Sequence, residues 1–488
     1  MITVATNETC RAIDRYLMTE QGIPGCILMD TAARGVADAV LNSPRKGKTA
    51  VLIGGGNNGG DGLALMRILK LKGIEPIGIL CCDPERLKGD ALLNYRIAAN
   101  MRLSMTEELS EISSAEIIVD GLFGTGLDRK IEGRAFDAIE LANACSAYRI
   151  AIDIPSGMSG DTGEIFGTVF KADETVTVQC IKRGLIVTKY RECVGKITVC
   201  PIGYMDEDIE TGFSKEQLID DEFVRSCLPD RKIVSNKGNF GRTLIFAGSP
   251  GMSGAAVMAS TAALRVGSGL VNAVVPDSIV QAFGIRPEIM VNADSDSDIR
   301  SNISKASAVG IGCGSGNDVK IKKKLYEVLM SRKPCVVDAD AINIMDSELL
   351  SLLHENCVLT PHPGEMSRLI HTDIKSVIEH PVETAKSFSE KYGAVLLLKS
   401  AASVIAAPDG RIRYNISGNP GLAKGGSGDV LTGIISGLLA QGLTAFDAAS
   451  CGAYLLGQSA DTALSLLKNR ALIAGDVLDS IAETMKTL

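Results

Sequence analysis

Short apolar runs alternate with helical patterns along nearly the whole chain, and this alternation most narrows the folds open to it. Ala50–Ile53, Ile77–Leu80, Ile117–Val119, Arg149–Ile152 and Thr175–Val178 read as strands in the first half. Thr243–Ala247, Leu270–Val275, Ala308–Ile311, Cys335–Val337, Cys357–Leu359, Val395–Leu398 and Ser403–Ala406 read as strands in the second. Apolar strands spaced by helical lengths predict an α/β fold whose parallel sheets are covered on both faces. Glu8 to Leu41 carries helical periodicity broken at Gly22-Ile23-Pro24-Gly25, which predicts two helices and a turn before the first strand. A Gly- and Ala-rich helical tail follows Asp429.

At 488 residues the chain exceeds what one hydrophobic core organises. The pattern changes between Cys200 and Asp230, where Pro201, Gly203, the acidic run Asp206-Glu207-Asp208 and Pro229 interrupt it. Two domains are expected, over 1–215 and 225–488. A net charge of −8 argues against a protein that wraps nucleic acid, where affinity scales with neutralised phosphates. No apolar run reaches membrane-spanning length, and Glu8, Arg11, Asp14 and Arg15 stand where a signal peptide would be apolar. The thirteen cysteines are odd in number and irregular in spacing, with no Cys-x-x-Cys; most lie in apolar strands and read as core filler, in a reduced, cytoplasmic protein.

Strand Ala50–Ile53 runs into Gly54-Gly-Gly-Asn-Asn-Gly-Gly-Asp-Gly62. Gly54, Gly56 and Gly59 satisfy the G-x-G-x-x-G spacing of a dinucleotide turn, with Asp83 as a candidate ribose ligand. Asn57, Asn58 and Asp61 add side-chain oxygens that a dehydrogenase turn keeps out. Two further polar loops, Asp120–Gly126 and Asp153–Gly157, follow strands, and three such loops at carboxyl ends converge on one crevice. The oxygen donors of Asn58, Asp120 and Ser156 suit a hard cation.

In the second half, Gly425 to Gly428 leave amides free at a helix start, an anion hole for a transferred phosphate, and Asp429 stands ready to take a proton from an attacking hydroxyl. His362, between Pro361 and Pro363, is a rigid histidine at a strand end suited to ligand contact. His354, His371 and His380 read as surface residues, and no pair has the spacing of a zinc site.

Asn57-Asn-Gly-Gly-Asp-Gly62, Asp120-Gly-Leu-Phe-Gly-Thr-Gly126 and Asp153-Ile-Pro-Ser-Gly157 with Asp161-Thr-Gly163 resemble the NAD(P)H-hydrate epimerase family, while Asp30-Thr31-Ala32 departs from its usual Glu-Asn-Ala. The resemblance implies a Rossmann-like three-layer αβα domain. In it Asn57, Asn58, Gly59, Gly60 and Asp61, with Gly124, Thr125, Gly126, Leu127, Asp128, Arg129 and Lys130, hold the hydrated cofactor. Potassium sits on Asn58, Asp120 and Ser156, and Asp153 stands at the reactive ring.

Ala255-Ala256, Asp338-Ala-Asp340, Pro361-His-Pro-Gly-Glu-Met366 and Ala423-Lys-Gly-Gly-Ser-Gly-Asp429 resemble the ribokinase-like NAD(P)H-hydrate dehydratases. That resemblance implies a ribokinase-like αβα domain with substrate at Ala255, Gly316, His362 and Asp429. It places the nucleotide at Lys399, Ser400, Ala401, Ala402 and Ser403 and at Gly425, Gly426, Ser427 and Gly428. Ser400 and Ser403 replace the family's usual Gly and Thr.

Together these imply a bifunctional enzyme that interconverts the R and S hydrates of NADH and NADPH and dehydrates the S form. ADP, with ATP left open, is the cosubstrate and yields AMP and phosphate, and Mg²⁺ bridges the nucleotide phosphates. A homo-oligomer without nucleic-acid or membrane partners is expected. Two other readings share parts of this pattern: a ribokinase-like kinase of a vitamin-precursor alcohol carrying a dinucleotide sensor, and a non-catalytic dinucleotide-binding scaffold.

Overall fold

The computed structural model describes residues 1–203, 212–296, 298–316, 319–467 and 471–488. The acidic run Asp206–Asp208 lies outside the described residues. The chain divides into two compact units, Ile2–Glu216 and Gln217–Leu488, with Met1 counted in the second.

Among the described residues the first unit holds nine strands: β1 (Ile2–Ala5), β2 (Thr49–Ile53), β3 (Pro76–Leu80), β4 (Ser104–Thr106), β5 (Ile117–Gly121), β6 (Tyr148–Ile152), β7 (Glu174–Val178), β8 (Ile181–Lys182) and β9 (Lys196–Cys200). Seven form a sheet of order β4-β3-β2-β5-β6-β7-β9, parallel throughout. β1 pairs in parallel with β8. Because successive side chains leave a strand on opposite faces, β2 feeds two cores. Val51 and Ile53 pack with helices Gly25–Asn42 and Asn57–Leu71. Ala50 and Leu52 pack on the other face with helix Gly133–Ala144. Burial on both faces is why Ala50–Ile53 of β2 is an unbroken apolar run rather than an alternating one.

β10 (Glu216–Leu218) lies at the division between the units. The second unit holds β11 (Arg242–Phe246), β12 (Leu270–Val275), β13 (Met290–Ala293), β14 (Ala308–Ile311), β15 (Cys335–Val337), β16 (Cys357–Leu359), β17 (Val395–Leu398), β18 (Ser403–Ala406) and β19 (Ile412–Asn415). They run in the order β13-β12-β11-β14-β15-β16-β17-β18-β19. Pairing is parallel as far as β17 and antiparallel through β18 and β19. Helices Ser427–Ala440, Ala445–Leu467 and Ala474–Thr487 cover one face, with Val430, Ile434 and Leu438 buried beside Val336, Val358 and Leu397. The helical tail is therefore three helices rather than one.

Every strand anticipated from the apolar runs is present. β9 carries Lys196 and Thr198 and β19 carries Arg413, so neither reads as a simple apolar run. Among the described residues no helix is long and apolar enough to cross a membrane. All thirteen cysteines are free thiols.

Candidate active sites

In the first unit the loops after β2, β5, β6 and β7 meet at the carboxyl ends of the parallel strands, where open α/β sheets bind ligands. Helix Asn57–Leu71 starts at Gly56 without a side-chain cap, so its first amides keep no intrahelical partner. Asn57 is exposed at this start, while Asn58, Gly59 and Gly60 are buried. A Cβ on Gly59 would lie 1.9 Å from the carbonyl oxygen of Gly54, so only glycine lets the helix come this close to the strand end. Gly124 to Lys130 follow β5 as a largely exposed loop in which Leu127 N–H donates to the Gly124 carbonyl at 3.3 Å. Asp83 caps the short helix Pro84–Arg86 by accepting from Glu85 N–H at 3.0 Å.

Asp120, fully buried at the end of β5, accepts from the Ser156 hydroxyl at 2.7 Å, from Ser156 N–H at 2.8 Å and from Leu122 N–H at 3.1 Å. Burial raises its carboxyl to about 6, although these three hydrogen bonds pull the other way. Asn58 lies against Gly124, and its Nδ2 is buried with no hydrogen-bond partner. A buried carboxylate raised by desolvation, a hydroxyl, and an amide whose O and N ends are exchangeable by a flip form a donor set that suits a hard monovalent cation.

Asp153 follows β6 with φ +66, a left-handed backbone that side-chain-bearing residues adopt at a cost of about 1–3 kcal/mol and that clusters at functional sites. Its carboxylate accepts from Val178 N–H at 3.0 Å and pairs with the Lys182 ammonium, which also donates to the Val178 carbonyl at 2.7 Å. Lys182 is buried: desolvation, the largest single effect, pushes its ammonium down, but Asp153, Cys10 and Cys180 together raise it above its ordinary value. Burial raises the carboxyls of Asp14 and Asp61, with Asp153 adding to the rise and Lys182 opposing it. One carboxylate thus pairs directly with the buried ammonium, and two more interact with it electrostatically. Lys182, Asp14 and Cys10, whose thiol burial raises to about 11, were not among the residues anticipated from sequence. The one signal for Lys182 was a charged residue ending an apolar stretch at Ile181.

In the second unit the loops after β11, β14, β15, β16 and β17 meet in the same way. Ala255, in helix Ser253–Arg265, faces the β14 loop: a Cβ on Gly314 would sit 2.9 Å from the Ala255 methyl. Gly316 N–H in that loop donates to Asp340 at 2.8 Å. Asp338, buried after β15, accepts from Lys399 Nζ at 2.9 Å, the Thr360 hydroxyl at 2.8 Å and the Thr432 hydroxyl at 2.9 Å. Lys399 Nζ also lies 3.8 Å from Glu365. His362 caps helix Pro363–Leu369, its Nδ1 accepting from Gly364 N–H at 3.0 Å and Glu365 N–H at 3.3 Å, with its side chain about half exposed.

Gly426, with φ +100, opens helix Ser427–Ala440 without a side-chain cap, which leaves the amides of Ser427, Gly428 and Asp429 free of intrahelical partners. A Cβ on Gly428 would lie 3.5 Å from Asp338 and 3.6 Å from Lys399 Nζ, so the amide cluster stands over this ion pair, beside exposed Gly425. Burial and then Asp338 raise the Asp429 carboxyl to about 6.

Lys399 to Ser403 form the turn between β17 and β18. The Ser403 hydroxyl accepts from Ser400 N–H at 3.2 Å and donates to its carbonyl at 3.1 Å, and the Ser400 hydroxyl donates to the Ala402 carbonyl at 2.6 Å. Both hydroxyls close the turn, around Ala401. His354, read from sequence as a surface residue, is instead buried at 3% exposure, because its short turn feeds directly into buried β16. His371 and His380 are exposed as anticipated.

Two parallel-sheet units, each with polar loops, free helix amides and a buried acid at the carboxyl ends of its strands, define a two-domain α/β enzyme. The NAD(P)H-hydrate dehydratase family model matches residues 243–485, and the model described as YjeF-related protein N-terminus matches residues 25–184. The bifunctional NAD(P)H-hydrate repair enzyme Nnr of Moorella thermoacetica is 36% identical over 98% of this chain and 95% of its own length. That of Coxiella burnetii is 35% identical over 98% of each chain. A crystal structure of a ribokinase-like superfamily protein from Enterococcus faecalis V583 is similar at TM-score 0.50 and 26% identity, covering 56% of this chain and 97% of that one. The chain belongs to the family of bifunctional NAD(P)H-hydrate repair enzymes. It joins an isomerase and a lyase of nicotinamide-cofactor repair in one polypeptide.

Proposed function

We propose that residues 1–215 epimerise the R and S hydrates of NADH and NADPH, and that residues 225–488 dehydrate the S form at the expense of ADP. The observation that carries this reading is the placing of Asp429 beside the free amides of helix Ser427–Ala440, over the Asp338–Lys399 ion pair. Asp429 takes the proton of the C6 hydroxyl as its oxygen attacks the terminal phosphorus of ADP, and the amides of Gly425 to Gly428 hold the phosphoryl oxygens. AMP departs. The ring nitrogen's electron pair then expels phosphate from C6, and loss of a C5 proton restores the 5,6 double bond of NADH or NADPH. Ala255, Gly316 and His362 border the hydrate, and the Lys399–Ser403 turn borders the nucleotide.

The carboxylates of Asp338, Asp340, Glu365 and Asp429 gather around the Lys399 ammonium, so the site suits Mg²⁺ carried on the nucleotide phosphates. When bound, that cation supplies charge neutralisation for phosphoryl transfer.

In the epimerase, the Asp153 carboxylate, held in place by Lys182, takes the proton of the C6 hydroxyl as the bond from C6 to the ring nitrogen breaks and hands it to that nitrogen; the reverse transfers close the ring on the other face of C6. The helix start at Asn57 to Asp61 and the loop from Gly124 to Lys130 border the cofactor's phosphates and ribose. Asn58, Asp120 and Ser156 hold potassium, whose charge offsets the buried Asp120. Thirteen free thiols support a reduced, cytoplasmic setting, and we assign small-molecule substrates and self-association as the only partners.

The test is recovery of reduced-nicotinamide absorbance from mixed-epimer NADH hydrate with Mg²⁺, K⁺ and ADP or ATP. Complete recovery that stops near half in Asp153→Ala and vanishes in Asp429→Ala supports both assignments. No recovery with either nucleotide, or a stable phosphorylated product, sinks the dehydratase.

A further inference from the structure

We infer that Cys335, His354 and Cys357 form a second, non-catalytic site that binds a thiophilic d¹⁰ cation, zinc or cuprous copper. Cys335 opens β15 and Cys357 opens β16, and the two are direct partners in the parallel register. Their sulfurs lie 3.5 Å apart, and one imidazole nitrogen of His354 lies with them so that all three ligand atoms fall within 4.8 Å of one another. Both cysteines are fully buried and His354 nearly so.

Tetrahedral zinc with Zn–S bonds of about 2.3 Å separates two thiolates by about 3.8 Å, a few tenths from the observed spacing. The donor set, two sulfurs and an imidazole, is soft, which selects zinc or cuprous copper over magnesium or calcium. Nε2 of His354 is buried with no hydrogen-bond partner, and its Nδ1 accepts only a long bond of 3.3 Å from Asn356 N–H. A buried polar nitrogen without a partner is costly.

The same two strands carry Asp338 and Thr360 beyond their carboxyl ends, whereas the cysteines sit at the amino ends. The cluster is therefore separated from the phosphoryl-transfer site by the length of the strands. A cation there would join β15 to β16 and stabilise the second unit without entering the reaction.

Full-length protein, reduced and freed of metal, is loaded with Zn²⁺ in one arm and Cu⁺ in another, desalted, and assayed for metal and for free thiols under denaturation. About one equivalent per chain in either arm is expected, with a raised melting temperature and unchanged dehydratase activity. The arm that loads names the ion. Cys335→Ser should lose the equivalent, His354→Gln should weaken binding more than about tenfold, and Cys10→Ser should keep it. Should Cys335→Ser fail to fold, Co²⁺ loading of the unmutated protein decides through its thiolate-to-cobalt charge-transfer band. Absence of stoichiometric metal in both arms, an unchanged equivalent in Cys335→Ser, or a Cys335–Cys357 disulfide in place of metal would overturn the site.

Discussion

Asp429 is ionised at neutral pH yet stays basic enough to take a proton, because burial and Asp338 hold its carboxyl at about 6. The dehydration rate should accordingly rise as pH climbs through about 6 and level above it, and Asp429→Ala should lower it by about 10²–10⁴-fold. A rate flat between pH 5 and 7 would contradict Asp429 as the base. For Asp120 the same upward shift bears on stability. Its carboxyl binds protons more tightly in the folded chain, at about 6 against 3.8. Stability is thus lost as pH rises between these values, up to about 3 kcal/mol above pH 6 at 1.36 kcal/mol per unit. A cation on Asp120 removes that cost. Potassium should therefore raise the melting temperature of the epimerase unit at pH 7.5, less so at pH 5, and not at all in Asp120→Asn; equal shifts at both pH values would exclude the role. Lys182→Met leaves the carboxylates around Asp153 without their counter-charge. We expect a loss of about 3–5 kcal/mol at pH 7.5, read by denaturant unfolding, partly restored at lower pH as the acids take up protons.

At the scale of elements, both sites depend on helices that begin without side-chain caps and on glycines that admit close backbone approach. Gly59→Ala would drive a methyl to 1.9 Å from the Gly54 carbonyl, whereas Gly126→Ala meets nothing within 4 Å. The first should lower the melting temperature and abolish epimerisation. The second should hold stability within about 0.5 kcal/mol, as surface substitutions do. Thermal melts of the two variants side by side check the contrast; a tolerated Gly59→Ala would be incompatible with this close approach of helix Asn57–Leu71 to the end of β2. Strands such as β14, β15, β16 and β17 were legible because burial on both faces writes them as unbroken apolar runs. The turn at Lys399–Ser403 was legible as a departure from a family pattern, but the use of both serine hydroxyls inside the turn was not.

For the whole molecule, the two activities occupy separate compact units, each with its own parallel strands and hydrophobic cores. Asp153→Ala should leave dehydration of pure S hydrate at the unmutated rate, and Asp429→Ala should leave epimerisation untouched. Mixing the two variants should restore complete recovery of reduced cofactor from the mixed hydrates, because the hydrate diffuses between molecules. A mixture that stops near half would show that the hydrate must pass within one chain.

Local sequence by itself determined the strands, the Gly-rich helix starts and the acids at strand ends, because each follows from spacing, apolar continuity or backbone freedom within a few residues. It brought Asp120, Asp153, His362 and Asp429 into view for the same reason. Only the tertiary structure decided which distant groups face one another. Lys182 meets Asp153 across 29 residues, Asp338 collects Lys399, Thr360 and Thr432 from three elements, and His354 is turned inward onto Cys335 and Cys357. Such pairings depend on sheet order and register, which bring together residues far apart in the chain, and no local pattern records them.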